Sequence, residues 1–341
     1  MHKRTRYSLL LMLALMAALT VALVLRKAAP PEAARLLPES DAIVYLNLKP
    51  LRAATHFERS PITRSPDYQH FIDATGIVPE RDLDEAAFAL HRMDNPDGPN
   101  GPVGYSEVFE GRFDGQRLAT YLDSIATQKE TYAGHQIFTI PVSDPHATRP
   151  LRIAQLGYDS IAASNMPTPE QIHSIIDRNH AAASPFSGSS LLSARYRDVP
   201  AFSSAWAVGH IGLPFSERGN ITILGLELPM SEDTTFVASL RYLGGLHLRI
   251  EQITPTEADA DKAAQTLTTL LALLKSVEQV QAQMQSGTQL ATQSGSQPDT
   301  ELRKLTDSAR VERHEDRAVL TANIPLELVK QLSAAPAAPQ R

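Results

Sequence analysis

The residues with the clearest chemical potential lie in one turn-rich segment, residues 94–101. Asp94, Asp97 and Asn100 would present side-chain oxygens, the ligands that calcium prefers, and Gly98 would permit a sharp turn. The spacing differs from that of an EF-hand loop, and the closing glutamate is missing. A Pro/Gly/Asn turn exposed to water accounts for the same residues, so we predict no metal site here.

Histidines are the next candidate ligands. Ten of them follow the N-terminal segment, and no two have the i, i+4 spacing by which one helix presents a pair to zinc. His173 and His180 are seven residues apart on a predicted helix, so they can share a face, but that spacing is too long for joint ligation. We interpret all ten as surface or helix-capping residues: His56, His70, His91, His135, His146, His173, His180, His210, His247 and His314.

Carboxylates are the remaining candidates for acid–base chemistry. Glu107 and Glu110 are three residues apart on a predicted strand, so they point to opposite faces and cannot pair directly. Glu227, Glu232 and Asp233 flank a turn that contains a proline. A carboxylate pair drawn from distant segments leaves no trace in a sequence, and that alternative stays open.

No established catalytic motif is present. The chain has no cysteine, which excludes disulfides, thiolate metal sites and cysteine nucleophiles. It also lacks G-x-S-x-G, G-x-x-x-x-G-K-[ST], H-E-x-x-H and G-x-G-x-x-G. The sequence therefore assigns no catalytic, cofactor-binding or metal residues and predicts no cofactor. An enzyme, such as a hydrolase, would need a site assembled from residues far apart in the chain.

The first 27 residues differ in composition from the rest. A basic start is followed by residues 8–25, in which only Ser8 and Thr20 are polar. As a helix this run would span about 27 Å, close to the hydrocarbon core of a bilayer. A cleaved signal peptide is the alternative, but Arg26 or Lys27 would occupy the −3 position, where cleavage requires a small residue. We predict a retained signal-anchor that contacts the membrane through residues 8–25.

The charge distribution indicates the orientation and excludes one class of partner. Three basic side chains precede the apolar run and two follow it, which favours a cytoplasmic N-terminus and an extracytoplasmic, periplasmic C-terminal domain. The formal charge is −6 for the chain, and the part after residue 27 carries 27 − 38 = −11. A domain with this much negative charge repels phosphate backbones. Nucleic acid is therefore not an expected partner.

The pattern of strands and helices predicts an α+β fold with two lobes, each a mostly antiparallel sheet with helices packed on one face. The expected parts are the signal-anchor (1–27), a stalk (28–36), a first lobe (37–183), a second lobe (184–333) with a flexible loop at about 285–300, and a disordered tail (334–341). Helices are expected to begin at Ser65, at Asp114 and at capping boxes headed by Thr168 and Thr254.

The long helix predicted at residues 256–284 has a clear apolar stripe, which includes Ala260, Ala264, Leu267, Leu271 and Leu274. The stripe is typical of a helix that covers a sheet, and the alternative is a docking helix for a protein partner. A weak internal repeat relates residues 106–180 to residues 246–333. The first segment has an expected strand (106–113), helix (115–127) and strand (132–140) that end at Ile140-Pro141. The second has an expected strand (246–253), helix (256–284) and hairpin (310–324) that end at Ile324-Pro325.

Three segments resemble a group of known sequences. They are Leu36–Leu48 (LLPESDAIVYLNL), Gly111–Asp114 (GRFD) and Tyr132–Phe138 (YAGHQIF). These are similar to segments of uncharacterised membrane-anchored proteins of soil bacteria, particularly acidobacteria, and the first also resembles the opening of bacterial extracytoplasmic domains of unknown function. The resemblance covers about half of the chain and implies an anchored extracytoplasmic protein, without any activity or catalytic residue.

Together these features favour a membrane-anchored cell-envelope protein that acts as a binding or scaffolding module without catalytic activity. Two alternatives stay open: an extracytoplasmic hydrolase, and an envelope carrier of apolar ligands. A carrier would show an apolar cavity between sheet and helices, and a hydrolase would show convergent polar groups with perturbed protonation.

Overall fold

A computed structural model of the chain describes residues 12, 16, 29–59, 64–95, 98, 101–141, 149–181, 187–210, 221–223, 226–228, 234–242, 244–286, 297–325 and 327–328. Within these residues the helices are α1 (Glu32–Leu36), α2 (Leu48–Thr55), α3 (Pro66–Thr75), α4 (Pro79–Asp82), α5 (Gly115–Ile125), α6 (Glu170–His180), α7 (Ser190–Arg195), α8 (Glu257–Ser286) and α9 (Gln297–Ser308). Short 3-10 turns occur at Phe57–Arg59 and Tyr196–Asp198.

The strands of the described residues are β1 (Ala42–Asn47), β2 (Leu83–Arg92), β3 (Val103–Gly111), β4 (Gln128–Tyr132), β5 (His135–Ile140), β6 (Leu151–Gln155), β7 (Ser160–Ser164), β8 (Ala205–His210), β9 (Ile221–Ile223), β10 (Leu226–Leu228), β11 (Thr235–Tyr242), β12 (Leu246–Ile253), β13 (Arg310–His314) and β14 (Arg317–Ile324). Helices and antiparallel strands are mixed along the chain, as the α+β prediction requires.

Twelve strands form one sheet in the order β13-β14-β12-β11-β8-β1-β2-β3-β7-β6-β5-β4, and β9 and β10 form a separate hairpin. All pairings in the large sheet are antiparallel. The strands of residues 42–164 lie on one side of it and those of residues 205–324 on the other. The two halves join where β1 pairs with β8, with Tyr45 opposite Trp206.

One face of the sheet, which we call the inner face, carries the main core. Ile43, Ala87, Val108, Val208 and Val237 lie on it in register, and all are almost completely buried. Helices α1, α6 and α7 and further strand residues supply the other buried side chains of this cluster. Because side chains from both halves of the chain form one cluster, burial of apolar surface holds the halves together.

The opposite face, which we call the outer face, carries helices at its two ends. At one end α3 and α5 pack on β5, β6 and β7 around Leu118, Leu122 and Phe138. At the other end α8 and α9 cover β13 and β14, and Ala260 of α8 and Ala318 of β14 are fully buried there. Helices therefore cover both faces of the sheet, which corrects the expectation that they pack on one face only.

The predicted helix starts are confirmed at two of four positions. Ser65 and Asp114 cap α3 and α5, accepting hydrogen bonds from the amides of Tyr68 and Arg117. The Thr168 prediction is wrong, because α6 has Pro169 at its N-cap and no side-chain cap. At the fourth position Thr256 rather than Thr254 accepts the amide of Asp259. Thr254 instead donates to the backbone carbonyl of Asp316 on the β13–β14 turn.

The strand order supports the predicted internal repeat and corrects its details. From the centre outwards one half reads β1, β2, β3, β7, β6 and the other reads β8, β11, β12, β14, β13. In each half three strands form a meander, a connection that contains a helix follows, and a hairpin returns beside the third strand. In the first half this connection also contains β4 and β5, which extend the sheet beyond β6. The counterpart of the hairpin at 310–324 is therefore the β6–β7 hairpin, and not the strand at 132–140 that the sequence suggested.

Three further segments differ from their predictions. Residues 32–36 of the expected stalk form α1, and Ala33, Ala34 and Leu36 are buried in the core, because this apolar turn fills the inner face. Helix α9 begins at Gln297, inside the expected loop at about 285–300, and packs on β14. The expected strand beginning at Tyr132 is a hairpin of β4 and β5 around Ala133 and Gly134.

The N-terminal prediction falls on residues that the structure mostly does not describe. Only Met12 and Met16 of the expected signal-anchor (1–27) are among the described residues, and both are exposed. Over the residues that are described, no helix combines the length and the apolar character needed to cross a membrane. The tail at 334–341 also lies outside the described residues.

Candidate functional site

The turn first considered as a metal site lies only partly within the described residues. Asp94 is exposed, while Asp97 and Asn100 lie outside the described residues. Among the residues that are described, no three His, Cys, Asp or Glu side chains are placed to hold a metal ion. His173 and His180 do share a face of α6, where His173 hydrogen-bonds Glu130 and His180 hydrogen-bonds the carbonyl of Ala133. They attach the β4–β5 hairpin to α6.

A serine–histidine contact is present on the inner face, and the sequence did not reveal it. The Oγ of Ser106 on β3 lies 3.0 Å from the Nε2 of His91 on β2. The backbone carbonyl of Glu39 also hydrogen-bonds His91, and burial lowers the pKa of this histidine. The ring is therefore held neutral, with Nε2 free to accept the Ser106 proton. This is the arrangement of a nucleophile, a base and a group that orients the base.

Burial argues against catalysis by this pair. Ser106 is 0% exposed and His91 is 6% exposed. The serine also contacts Ser164 on β7, with 3.1 Å between the two Oγ atoms, and Ser164 is itself buried. A substrate carbonyl needs direct access to the nucleophile. The geometry therefore fits a satisfied polar network inside the core better than an active site.

Two carboxylates also meet on the inner face. Glu85 on β2 and Glu110 on β3 are register partners, and the hydroxyl of Tyr45 donates to Glu85 over 2.7 Å. Burial, followed by the charge of Glu85, raises the pKa of Glu110 to about 7. One carboxylate thus accepts a hydrogen bond while its neighbour favours the protonated form. Glu107 lies on the outer face, which confirms that Glu107 and Glu110 point to opposite sides.

A further feature is the middle of the outer face, between its two helix-covered ends. We call it the apolar strip. Its floor crosses β3, β2, β1, β8, β11 and β12, a width of about 24 Å for five inter-strand spacings of about 4.8 Å. Its larger side chains are all partly exposed: Val44, Leu46, Phe88, Leu90, Phe109, Phe236, Leu240, Leu248 and Ile250. An apolar surface of this extent marks an interaction site in soluble proteins.

The strip is lowest along β8. Ala205, Ala207 and Gly209 lie on the outer face there, and they face Leu46 and Val44 on β1 and Phe236 and Leu240 on β11. The small side chains of Ala205 and Ala207 lower the surface between Leu46 and Val44 on one side and Leu240 on the other, whereas Gly209 is buried against Ala42.

One carboxylate interrupts the strip. Glu107 on β3 is the register partner of Phe88 on β2 and of Ala163 on β7. Burial raises the pKa of Glu107 to about 7, and no charged neighbour contributes to this shift. A carboxyl group that lacks a charged partner in apolar surroundings favours its neutral form, so Glu107 is the one polar group of the strip whose protonation is perturbed.

The sequence pointed to Glu107 as a candidate but did not show which side chains surround it. Alternation along β2 and β3 places His91 with Ala87 and Ala89, and Glu107 with Phe109, so the face of each residue was readable. Which residue of β3 lies opposite Phe88 depends on strand register, which alternation alone does not give. Trp206 is 3% exposed and stacks on Tyr45, so the single tryptophan of the chain lies in the core.

Comparison with known proteins assigns neither a family nor a function to this chain. No family model matches the chain, and no curated protein matches it. Crystal structures of TP0453 align with it at TM-scores of 0.46 (form IV) and 0.43 (form I), each with 8% identity. The alignments cover 89% and 88% of this chain, and 96% of the TP0453 chain in both cases. The site is therefore interpreted from its own residues.

Proposed function

We propose that this chain is a membrane-anchored binding module of the cell envelope, and that the apolar strip binds the hydrocarbon chain of an amphipathic ligand. The observation that carries the proposal is the strip itself. Nine large apolar side chains on neighbouring strands are partly exposed between two ends of the outer face that helices cover. Leaving so much apolar surface in contact with water costs free energy, about 25 cal/mol per Å², and a ligand would recover it.

The long helix α8 supports the same proposal. It packs on β13, β14 and β12, in order of decreasing contact, so it leans from the edge of the sheet towards the strip. Beyond Ala263 its apolar side chains are only partly buried, and Leu273 is 45% exposed. Leu267, Leu270 and Leu274 would then extend the apolar wall of the strip. The alternative function of this helix, a docking surface for a protein partner, uses the same side chains.

The anchored location rests on the sequence. Residues 8–25 have the length and composition of a spanning helix, and the basic residues on either side favour an extracytoplasmic domain. A reporter fused after Arg341 should be active only outside the cytoplasm. The protein should stay with membranes after carbonate and high-salt washes, and deletion of residues 1–27 should release it. Release of the full chain by either wash would contradict the anchor.

Ligand binding is tested by photo-crosslinking with the full-length chain in phosphatidylcholine nanodiscs. The probe is dodecanol that carries a diazirine on its alkyl chain. We expect adducts on peptides of β2, β3, β11 and β12, and at least a five-fold loss of labelling in Phe236→Glu, because a charge in the strip must be desolvated. Tyr158→Glu is the matched control, since Tyr158 is 84% exposed. Adducts spread evenly over the chain would overturn the proposal.

The hydrolase alternative has its own test. The Ser106–His91 contact is the feature that favours it. A fluorophosphonate should not label Ser106 in the folded protein, because the hydroxyl is buried. Labelling of Ser106 that is lost in His91→Gln would establish an accessible nucleophile and favour an enzyme.

A further inference from the structure

The surroundings of Glu107 combine one carboxyl group with three aromatic rings. Phe88 lies directly opposite on β2, and Tyr105 and Phe109 are two residues away on β3, on the same face. Positions two apart on a strand are about 7 Å from each other, and register partners about 5 Å. Phe88 and Phe109 pack edge to face with 5.8 Å between ring centroids. Tyr105 is 37% exposed, so the group is open to solvent.

No cation of the described residues neutralises this carboxylate. The pKa of Glu107 is raised by burial, without any contribution from a neighbouring charge. On the same face, β2 contributes Asp84 and Arg92 at its two ends, and Asp84 pairs with Arg52. Strand β7 contributes only Ile161 and Ala163 beside β3. The nearest titratable group on the strand of Glu107 itself is the Tyr105 phenol. Arg149 donates to the carbonyl of Val103 and interacts electrostatically with that phenol, but it does not contribute to the raised pKa of Glu107.

We propose, on the basis of the binding function above, that Glu107 and the rings of Tyr105, Phe88 and Phe109 bind the ammonium group of a cationic amphiphile, whose alkyl chain lies in the apolar strip. Aromatic faces attract ammonium groups through their quadrupoles, and the attraction grows as water is excluded. A carboxylate supplies the opposite charge. The ligand thus brings the counter-charge that the described residues do not provide.

The same geometry disfavours an anionic headgroup. A ligand carboxylate beside ionised Glu107 would add like-charge repulsion to an already desolvated site. A neutral alcohol would gain burial of its chain but no charge pairing. The head of the ligand, rather than its chain, therefore determines selectivity at Glu107.

The test uses dodecyltrimethylammonium, dodecanol and dodecanoate, each with a diazirine on the chain, and the full-length protein in phosphatidylglycerol nanodiscs. Phosphatidylcholine is avoided here because its own trimethylammonium group would compete for the site. The trimethylammonium group does not titrate, so any pH dependence belongs to the protein. Labelling is quantified on the tryptic peptides 82–92 and 93–112, which contain Phe88 and Glu107. With Glu107 titrating near pH 7, ammonium labelling at low probe concentration should rise about tenfold from pH 6 to pH 8.

Two variants isolate the carboxylate and the rings. Glu107→Gln should abolish the pH dependence and reduce ammonium labelling at pH 8 to the level seen at pH 6, and dodecanol labelling should be unchanged. Glu110→Gln is the matched control, because it changes the same residue type on the same strand but on the inner face. Phe109→Leu should lower ammonium labelling several-fold and leave dodecanol labelling intact. Urea unfolding checks that each variant is folded.

The outcomes separate this inference from the proposed function. If none of the three probes labels the strip, both the binding function and the ammonium site are wrong. If dodecanol labels the strip but ammonium labelling is independent of pH or of Glu107, the strip binds chains and the ammonium site is wrong. Stronger labelling by dodecanoate than by the ammonium probe at pH 8 would likewise overturn the inference.

Discussion

At the scale of single residues, ion pairs of buried carboxylates stabilise the inner face of the sheet. Arg317 on β14 lies 3.0 Å from Asp198 and 3.0 Å from Glu251 of β12. Both acids are almost buried, with side chains 7% and 5% exposed. These ion pairs connect the 3-10 turn at Tyr196–Asp198 to β12 and β14.

We expect Arg317→Met to lower the free energy of unfolding by about 2 kcal/mol, because Asp198 and Glu251 lose their shared partner. Each carboxylate then keeps one arginine, Arg195 for Asp198 and Arg249 for Glu251. Urea denaturation measures the change. Arg303→Met is the control, since the Arg303–Asp307 pair is exposed on α9 and should contribute less than about 1 kcal/mol. If both substitutions lower the free energy of unfolding equally, the partly buried Arg317 ion pairs stabilise the protein no more than an exposed pair does.

The buried glutamates give stability a pH dependence with a definite sign. The folded-state pKa of Glu110 is raised from 4.5 to about 7. Between these values the folded chain binds more protons than the unfolded chain, so stability falls as pH rises. Glu110→Gln should therefore gain stability relative to wild type from pH 5 to pH 8, by an amount of the order of 2 kcal/mol. Denaturation at both pH values tests this. Glu315→Gln, at the exposed β13–β14 turn, is the control and should leave the change in stability between pH 5 and pH 8 the same as in wild type.

At the scale of elements, the end of α3 depends on one glycine and on an arginine from α5. Gly76 ends the helix with φ of +74°, and a Cβ there would lie 2.7 Å from the guanidinium of Arg117. That guanidinium donates to the carbonyls of Asp73 and Ala74, which the helix end leaves unpaired. The contact joins α3 to α5 over the outer face.

Gly76→Ala should lower the free energy of unfolding by about 2 kcal/mol. About 1 kcal/mol of this comes from placing alanine in a left-handed backbone conformation, and the rest comes from the hydrogen bonds that Arg117 loses when it is displaced. Gly134→Ala isolates the backbone contribution, because Gly134 has φ of +83° and no atom lies within 4 Å of its added Cβ. Thermal or urea unfolding of the two variants gives the comparison. If Gly134→Ala lowers the free energy of unfolding as much as Gly76→Ala does, the contact with Arg117 makes no contribution.

For the whole molecule, the sheet predicts that the two halves unfold together. The inner core includes Ile43 and Ala87 from one half and Val208 and Val237 from the other. Trp206 on β8 stacks on Tyr45 on β1, with 5.3 Å between ring centroids. Separating the halves would expose this surface at the cost of its burial.

Hydrogen exchange during urea titration tests this cooperativity. Amides of β2 and of β11 should lose protection at the same urea concentration, because neither half retains its core alone. Trp206→Ala, which removes the central stack, should lower that concentration for both strands equally. Loss of protection in β11 while β2 stays protected would show that the halves are independent units, as separate lobes would be.

The sequence by itself determined the features that depend on neighbours a few residues away. The caps at Ser65 and Asp114 and the opposite faces of Glu107 and Glu110 follow from local hydrogen bonds and from the two-residue period of a strand. The tertiary structure decided what comes together: Ser106 beside His91, Glu110 opposite Glu85, and three rings around Glu107. These contacts depend on strand register and on which helices cover each face, which long-range packing sets. The apolar strip is the clearest case. Strands with apolar side chains on both faces are typical of a sheet covered on both sides, and only the positions of α5 and α8 leave the middle partly exposed.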